Sequence, residues 1–254
     1  MWQRIGREEI ILKGLNLSGS GLEYGPLHKP MAKKPQHNVR YVDFADRARL
    51  VELHKGSANI DTSKIPEIDI VTGGRNISEF VKSDSVDFIV ASHVAEHVPD
   101  LLSWLMSNLQ ILKKGGLLSI AYPDKRFTFD IKRHKSSLAE VIAAHLEKRT
   151  KPSISNLADH FLNVSRVAAD DAWVGRITPD SAKPLQTQEE VLALLRKKVT
   201  SDLYTDCHCW IFDDIAFLRM LEEVRRLFKL PMLISSYTPT PRNSIEFYVT
   251  LTKT

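Results

Sequence analysis

Val86-Asp-Phe-Ile-Val-Ala-Ser92 constrains the fold more than any other stretch of this chain. The run is nearly continuous in apolar residues, far too short to cross a bilayer, and without the alternation of a strand that has one wet face. Such a run is read as a strand buried on both faces of a sheet. After Asp100, residues Leu101, Leu102, Leu105, Leu109 and Leu112 recur at helical spacing, and Gly115-Gly116 stops that helix. Leu117-Leu-Ser-Ile-Ala-Tyr122 is then a second apolar strand. Strand, helix and strand in this order form a βαβ unit, which implies a parallel sheet covered by helices.

The same rhythm holds on either side. Strands are expected at Gly21 to Tyr24, Val39 to Phe44 and Ile68 to Val71, with a helix over 45–55. Between 136 and 205 the strand signals fade and three helical stretches appear, near 136–149, 154–169 and 187–199. This segment reads as a helical insertion within a single domain spanning 1–254. Asp214 to Phe228 is an amphipathic helix. Two terminal strands, 232–237 and 245–251, would close into an antiparallel hairpin at the sheet edge. The expected fold is α/β, with a mostly parallel sheet of about seven strands.

Composition matters mainly for what it excludes. With 43% hydrophobic and 26% charged residues, a 254-residue chain buries a core without staples, and global disorder is ruled out. The net charge of +4 is spread thinly, and the clusters Lys33-Lys34 and Arg196-Lys197-Lys198 carry no interleaved aromatics, so no nucleic-acid partner is expected. No membrane span is expected either. Cys207 and Cys209, the only cysteines, stand one residue apart and cannot build a disulfide framework. Met1 to Leu12 is charged and no apolar core follows, so a secretory signal is not expected and a cytoplasmic location is.

An open parallel sheet binds ligands beyond the carboxyl ends of its strands. Those ends carry Glu23, Tyr24 and Gly25, then Asp43, then Thr72, Gly73 and Gly74, then Ser92, His93, Glu96 and His97, and lastly Asp124, Lys125 and Arg126. A carboxylate ending the second strand suits a ribose diol, because it accepts two hydrogen bonds and repels a 2′-phosphate. Gly25 permits a positive φ or close approach of the backbone to a ligand.

Together, Gly21-Leu-Glu-Tyr-Gly-Pro26, Tyr41-Val-Asp43, Asp87 to Asp100 and Leu112-Lys-Lys-Gly-Gly-Leu-Leu118 resemble the motifs of the Rossmann-like S-adenosylmethionine-dependent methyltransferases. Pro123-Asp-Lys-Arg-Phe-Thr-Phe-Asp130 is similar to a bacterial, type 11-like subgroup associated with surface-polysaccharide or secondary-metabolite pathways. The resemblance covers about residues 15–135 well and the end of the chain more loosely. It implies a Rossmann-like sheet, S-adenosyl-L-methionine as cofactor, and a small-molecule or glycoconjugate acceptor. It further implies that Glu23, Tyr24 and Gly25 lie at the methionine and ribose end, that Asp43 holds the ribose hydroxyls, that Gly73 and Gly74 flank the adenine, and that Ser92 and His93 lie beneath the sulfonium. The chain departs from the pattern twice. Leu27 stands where a second loop glycine is usual, and Gly73-Gly74 stand where an acidic residue often meets the adenine amine.

His93 and His97 are the candidate catalytic groups, and Asp124, Arg126, Arg133, His160, His208 and Trp210 the candidate acceptor-binding residues. For the run Asp124 to Arg133 an ion-paired brace between sheet and insertion is an equal alternative. Two other functions remain open. A methyltransferase-like binding protein is one. The other is a zinc hydrolase, since His93-Val-Ala-Glu96-His97 matches H-x-x-E-H and on a helix would put both imidazoles on one face. Pro99 cuts such a helix short, and Cys207-His208-Cys209 is too sparse for a structural zinc, so no metal is expected at these residues.

Overall fold

The computed structural model describes residues 6–201 and 203–254. Of the charged residues read between Met1 and Leu12, Arg4 therefore lies outside the described residues. One sheet of seven strands organises the chain: β1 (Gly21–Tyr24), β2 (Val39–Asp43), β3 (Ile70–Val71), β4 (Val86–Ser92), β5 (Leu112–Pro123), β6 (Met232–Thr238) and β7 (Glu246–Lys253). Their order is β3-β2-β1-β4-β5-β7-β6. The first five are parallel, and β7 runs antiparallel to both β5 and β6. The expected terminal hairpin is present, with its second strand wedged between the first and the rest of the sheet.

Helices cover both faces. α1 (Arg7–Leu12), which sequence reading missed, and α2 (Arg47–Leu53) precede α3 (Leu101–Ile111), α4 (Leu138–Leu146), α5 (Ile154–Asn163), α6 (Ala169–Trp173), α7 (Gln188–Val199) and α8 (Asp214–Leu227). α3, α4 and α8 pack with one face of the sheet in the larger core, where Val141 and Ala144 of α4 are fully buried beside Leu105 and Phe217. The other face is covered by Ile11 of α1 and by Met31 and Ala32 of the loop after β1. α6 and Trp173 are tied down by a stack of Phe127 on Trp173, with ring centroids 3.9 Å apart and planes within 2°.

Local chemistry accounts for the boundaries. Asp46, Asp100, Ser137, Ser153, Thr187 and Asp213 each accept a hydrogen bond from a first-turn backbone N–H, satisfying donors the helix leaves orphaned. β5 is longer than its apolar run predicts, because Lys113 to Gly116 continue in extended backbone past a register shift opposite Val86 and Phe88. Gly21 is required by packing: a Cβ there would lie 1.9 Å from the Phe88 ring. β1 and β4 can be neighbours in the sheet with that phenyl between them only because the side chain is absent.

Candidate active site

β1 continues to β2 on one side and borders β4 on the other, so the chain reverses its strand order between β1 and β4. Open α/β sheets bind ligands at such a switch point. Gly25 leaves β1 at φ +54, and Leu27 holds φ +40, so the loop keeps a left-handed turn at the position where a second glycine was expected. Thr72 N and Gly73 N donate to the carbonyls of Asp43 and Phe44, lacing the loop after β3 to that after β2. Gly73 and Gly74 both have positive φ within this lacing.

Asp43 sits at the end of β2 with its Oδ1 2.7 Å from the Phe44 N–H. Burial raises its pKa to about 6, opposed by the backbone amides of Phe44 and Ala45. Phe44 beside it is 55% exposed and Val71 at the end of β3 is 42% exposed, unusual for apolar residues at the end of a buried sheet. Sequence reading took Phe44 as a strand residue and missed it as a feature of the rim.

Glu23 and Tyr24 turn inward. Both Glu23 oxygens accept backbone N–H groups, from Met31 and Ala32, each at 2.7 Å. Burial lifts this carboxyl to about 7, the two amides acting against it. The Tyr24 hydroxyl donates to Asn108 in the core. The Glu23 side chain therefore braces the loop after β1, and Tyr24 offers the rim only its backbone.

Across the switch point, Ser92 and His93 end β4. His93 has φ +53, an uncommon conformation for a residue with a side chain. Its Nε2 is 2.7 Å from Glu246 Oε2, and Glu246 Oε1 accepts from Arg7 Nε at 2.5 Å. Arg7 also donates to Ser92 Oγ. Antiparallel β7 brings its first residue, Glu246, to this rim opposite Pro123. Burial opposes a charge on His93, but its contacts with Glu246 and Glu96 outweigh it and raise the imidazole to about 9. Glu246 is likewise pushed up by burial but held at about 2 by His93 and Arg7. His93 is thus cationic at neutral pH and poorly suited to act as a base. Arg7 and Glu246 carried no local sequence signal, since neither belongs to a strand-end motif.

The segment after His93 is a series of turns, not a helix, so His93 and His97 do not share a helical face. Glu96 is fully buried, and neither carboxylate oxygen has a hydrogen-bond partner. His93 Nδ1 lies 3.5 Å from Glu96 Oε1 and His97 Nε2 3.8 Å from it. His97 Nδ1 is 3.0 Å from Asp206 Oδ1, and His208 Nδ1 is 2.6 Å from Asp130 Oδ2. The two rings meet edge to face at 4.7 Å.

The residues expected around the acceptor divide in two. Asp124, Arg133 and Trp210 are buried and already engaged, which corrects their reading as ligand-facing groups. Asp124 accepts from Arg126 and Thr240, and Arg126 reaches on to Asp214 of α8. Arg133 binds Asp130 at 2.9 Å, Asp159 at 2.7 Å and the His208 carbonyl at 2.9 Å. The Trp210 indole donates to the Val98 carbonyl. The bracing alternative holds for these side chains, because a buried charge must be paired and hydrogen-bonded. His97 and His160 stay partly open to solvent, and His208 lies just beneath them. Burial, with the Arg133 charge nearby, lowers His160 to about 4, leaving it neutral.

Strand order defines a Rossmann-like α/β protein with its switch point between β1 and β4. The chain belongs to the methyltransferase domain family, whose model it matches over residues 9–164. Among solved structures it is similar to a Rhodobacter sphaeroides protein described as a putative Zn-dependent alcohol dehydrogenase. That match has 14% identity and a TM-score of 0.52 and covers 99% of this chain and 91% of the other. A Burkholderia thailandensis 1,6-didemethyltoxoflavin-N1-methyltransferase is 12% identical with a TM-score of 0.48, over 97% of this chain and 76% of the other. A Listeria monocytogenes structure described as a putative S-adenosylmethionine-dependent methyltransferase is 10% identical with a TM-score of 0.46, over 93% and 90%. Likeness at these identities concerns the fold alone. No curated protein matches the sequence. Among the described residues no helix is long and apolar enough to cross a membrane.

Proposed function

We propose that this chain transfers a methyl group from S-adenosyl-L-methionine to a small-molecule or glycoconjugate acceptor. Family membership supports methyl transfer, and one observation carries the choice of cofactor: Asp43 ends β2 beside the exposed Phe44, and the Gly25 N–H donates to the Val42 carbonyl one residue before it. A carboxylate for a diol, an apolar edge for a base and a left-handed backbone turn fit a nucleoside ligand.

When bound, the cofactor supplies an electrophilic methyl carbon on a cationic sulfonium. The chain's own contribution is to hold and orient, and positioning alone accounts for a large share of rate in such displacements. Asp43 accepts the ribose hydroxyls, Gly25 and the lacing of Thr72 and Gly73 shape the walls, and Glu23 keeps the loop after β1 in place. Ser92 and His93 form the floor. Because His93 is paired with Glu246, it is not the group that takes a proton from a hydroxyl acceptor. Free cysteines at 207 and 209 agree with the cytoplasmic setting that belongs to this reading.

Calorimetric titration with S-adenosyl-L-methionine tests the first half of the proposal, and mass spectrometry of metabolites that gain one methyl group in the presence of the protein tests the second. Absence of cofactor binding removes the reading. Tight binding without any methylated product favours the alternative of a methyltransferase-like binding protein.

A further inference from the structure

The methyl-transfer reading leaves Glu96 unexplained. Its carboxylate is fully buried, and among the described residues neither oxygen has a hydrogen-bond partner. A buried carboxylate needs compensation, and the nearest imidazole nitrogen, His93 Nδ1 at 3.5 Å, belongs to a ring already bound to Glu246. Glu96 faces His97 and His208, and one donor atom from each of the three lies within 4.8 Å of the others.

The surroundings of the two imidazoles point the same way. Asp206 stands at Nδ1 of His97 and Asp130 at Nδ1 of His208. A carboxylate at Nδ1 fixes the proton there and turns Nε2 outward as a lone pair, which is how metal-binding histidines are usually oriented. Asp130 is fixed in turn by Arg133, so the support continues one layer further.

We propose that Glu96, His97 and His208 bind one divalent transition-metal ion of the zinc class, oriented by Asp206 and Asp130. Two nitrogens and one carboxylate oxygen are a donor set used for zinc when a further position stays open. Around a tetrahedral ion with bonds of about 2.0–2.2 Å, ligand atoms stand roughly 3.3–3.5 Å apart, so the three side chains need to close by about 1 Å. The segment from 94 to 99 consists of turns, and His97 is partly exposed, so the cleft can reach the ion. This set differs from the H-x-x-E-H pairing, because Nε2 of His93 is taken by Glu246 and His208 joins Glu96 and His97 in its place. Extending the site to hold an acceptor oxygen at the open position rests on the methyl-transfer reading; binding of the ion does not.

The test uses the whole protein, stripped by a chelator and exchanged into chelator-free buffer. Titration with Zn²⁺ should show one equivalent bound with micromolar affinity or better, and Co²⁺ should give the intense visible absorption of a low-symmetry site. Glu96→Gln, His97→Ala and His208→Ala should each weaken binding at least tenfold, while His145→Ala, on α4, should leave the stoichiometry at one. If a variant fails to fold, the wild type alone decides: bound Zn²⁺ should protect His97 and His208 from diethyl pyrocarbonate, mapped by peptide mass spectrometry. Less than half an equivalent bound at 0.1 mM Zn²⁺ (on the order of a hundred times a micromolar Kd), or binding that is unprotected at His97 and unchanged in all three variants, overturns the proposal. S-adenosyl-L-methionine affinity, measured on the same samples, reports separately on the methyl-transfer reading.

Discussion

The two sides of the cleft are built differently. On the β1–β2–β3 side, charged side chains are few and are held by main-chain groups: Glu23 by the amides of Met31 and Ala32, Asp43 by that of Phe44. On the β4–β5 side, charges are held by one another across long stretches of sequence. Arg7, Glu246 and His93 form one chain, and Arg133, Asp130, His208 and Asp159 another. The first arrangement fixes each carboxylate locally, through amides within nine residues of it. The second spends almost all of its charge on assembling helices α5 and α8, the loop after β5 and the end of the sheet. A crowd of ionisable residues in sequence therefore marks the bracing of the β4–β5 side more than a binding surface.

Arg133→Ala should have the largest effect and tests the second arrangement. Removing one partner from a buried pair typically costs about 3–5 kcal/mol, because the remaining carboxylates stay buried and unpaired. The melting temperature should fall on the order of 10 °C, with cofactor affinity of the folded fraction unchanged. A variant that melts like the wild type but loses acceptor affinity would return Arg133 to the binding surface.

Gly25→Val tests the first arrangement at its narrowest point. A Cβ at Gly25 would meet Val94 Cγ2 at 3.5 Å, an ordinary contact, so backbone conformation and not space is the obstacle. At φ +54 a β-branched side chain is strained, and relief of that strain moves the turn. Calorimetry should show more than a hundredfold loss of S-adenosyl-L-methionine affinity, with circular dichroism unchanged.

Asp43→Ala should cost about tenfold to a hundredfold in affinity, the worth of a charge-assisted hydrogen bond pair of roughly 1.5–3 kcal/mol. The same carboxyl predicts opposite pH trends for binding and for stability. Its folded pKa of about 6 lies above the ordinary value of 3.8. Between those values the native state holds a proton the unfolded state has released, so this group's contribution to stability falls as pH rises from about 4 to 6. Cofactor affinity should rise over the window around pH 6, as the anion that accepts the hydroxyls forms. The melting temperature of Asp43→Asn minus that of wild type should therefore grow more positive with pH, while wild-type affinity improves; an affinity that stays flat or falls over this window would exclude Asp43 as the diol acceptor.

The smallest effect is expected for Trp210→Phe, which removes the indole hydrogen bond to Val98 and part of a fully buried ring. A loss of roughly 1–2 kcal/mol in stability is expected, with methyl-transfer kinetics unchanged. A change in KM for the acceptor without a change in melting would show that the ring reaches the cleft after all.

The sequence by itself determined the sheet, most of the helices and the placement of Gly25 and Asp43 at the strand ends. Apolar runs such as Val86 to Ser92, leucines at helical spacing after Asp100, and capping residues such as Ser137 and Thr187 act within a few residues, and their consequences can be read within a few residues. Asp43 and Gly25 were legible for the same reason: a strand end places them, and parallel strands in a doubly wound order bring all such ends to one rim. Tertiary structure alone decided the rest. Antiparallel β7 carries Glu246 to the same rim, and α1 lays Arg7 against it, which turned His93 from a candidate base into a cation in an ion-pair chain. Folding the region around 206–208 back over the turn at 96–97 set Glu96 between two imidazoles, a neighbourhood no spacing rule in one segment contains. Burial is the physical reason for both outcomes. It acts on charge through every element that excludes water from the site, and that enclosure exists only once the whole chain has packed.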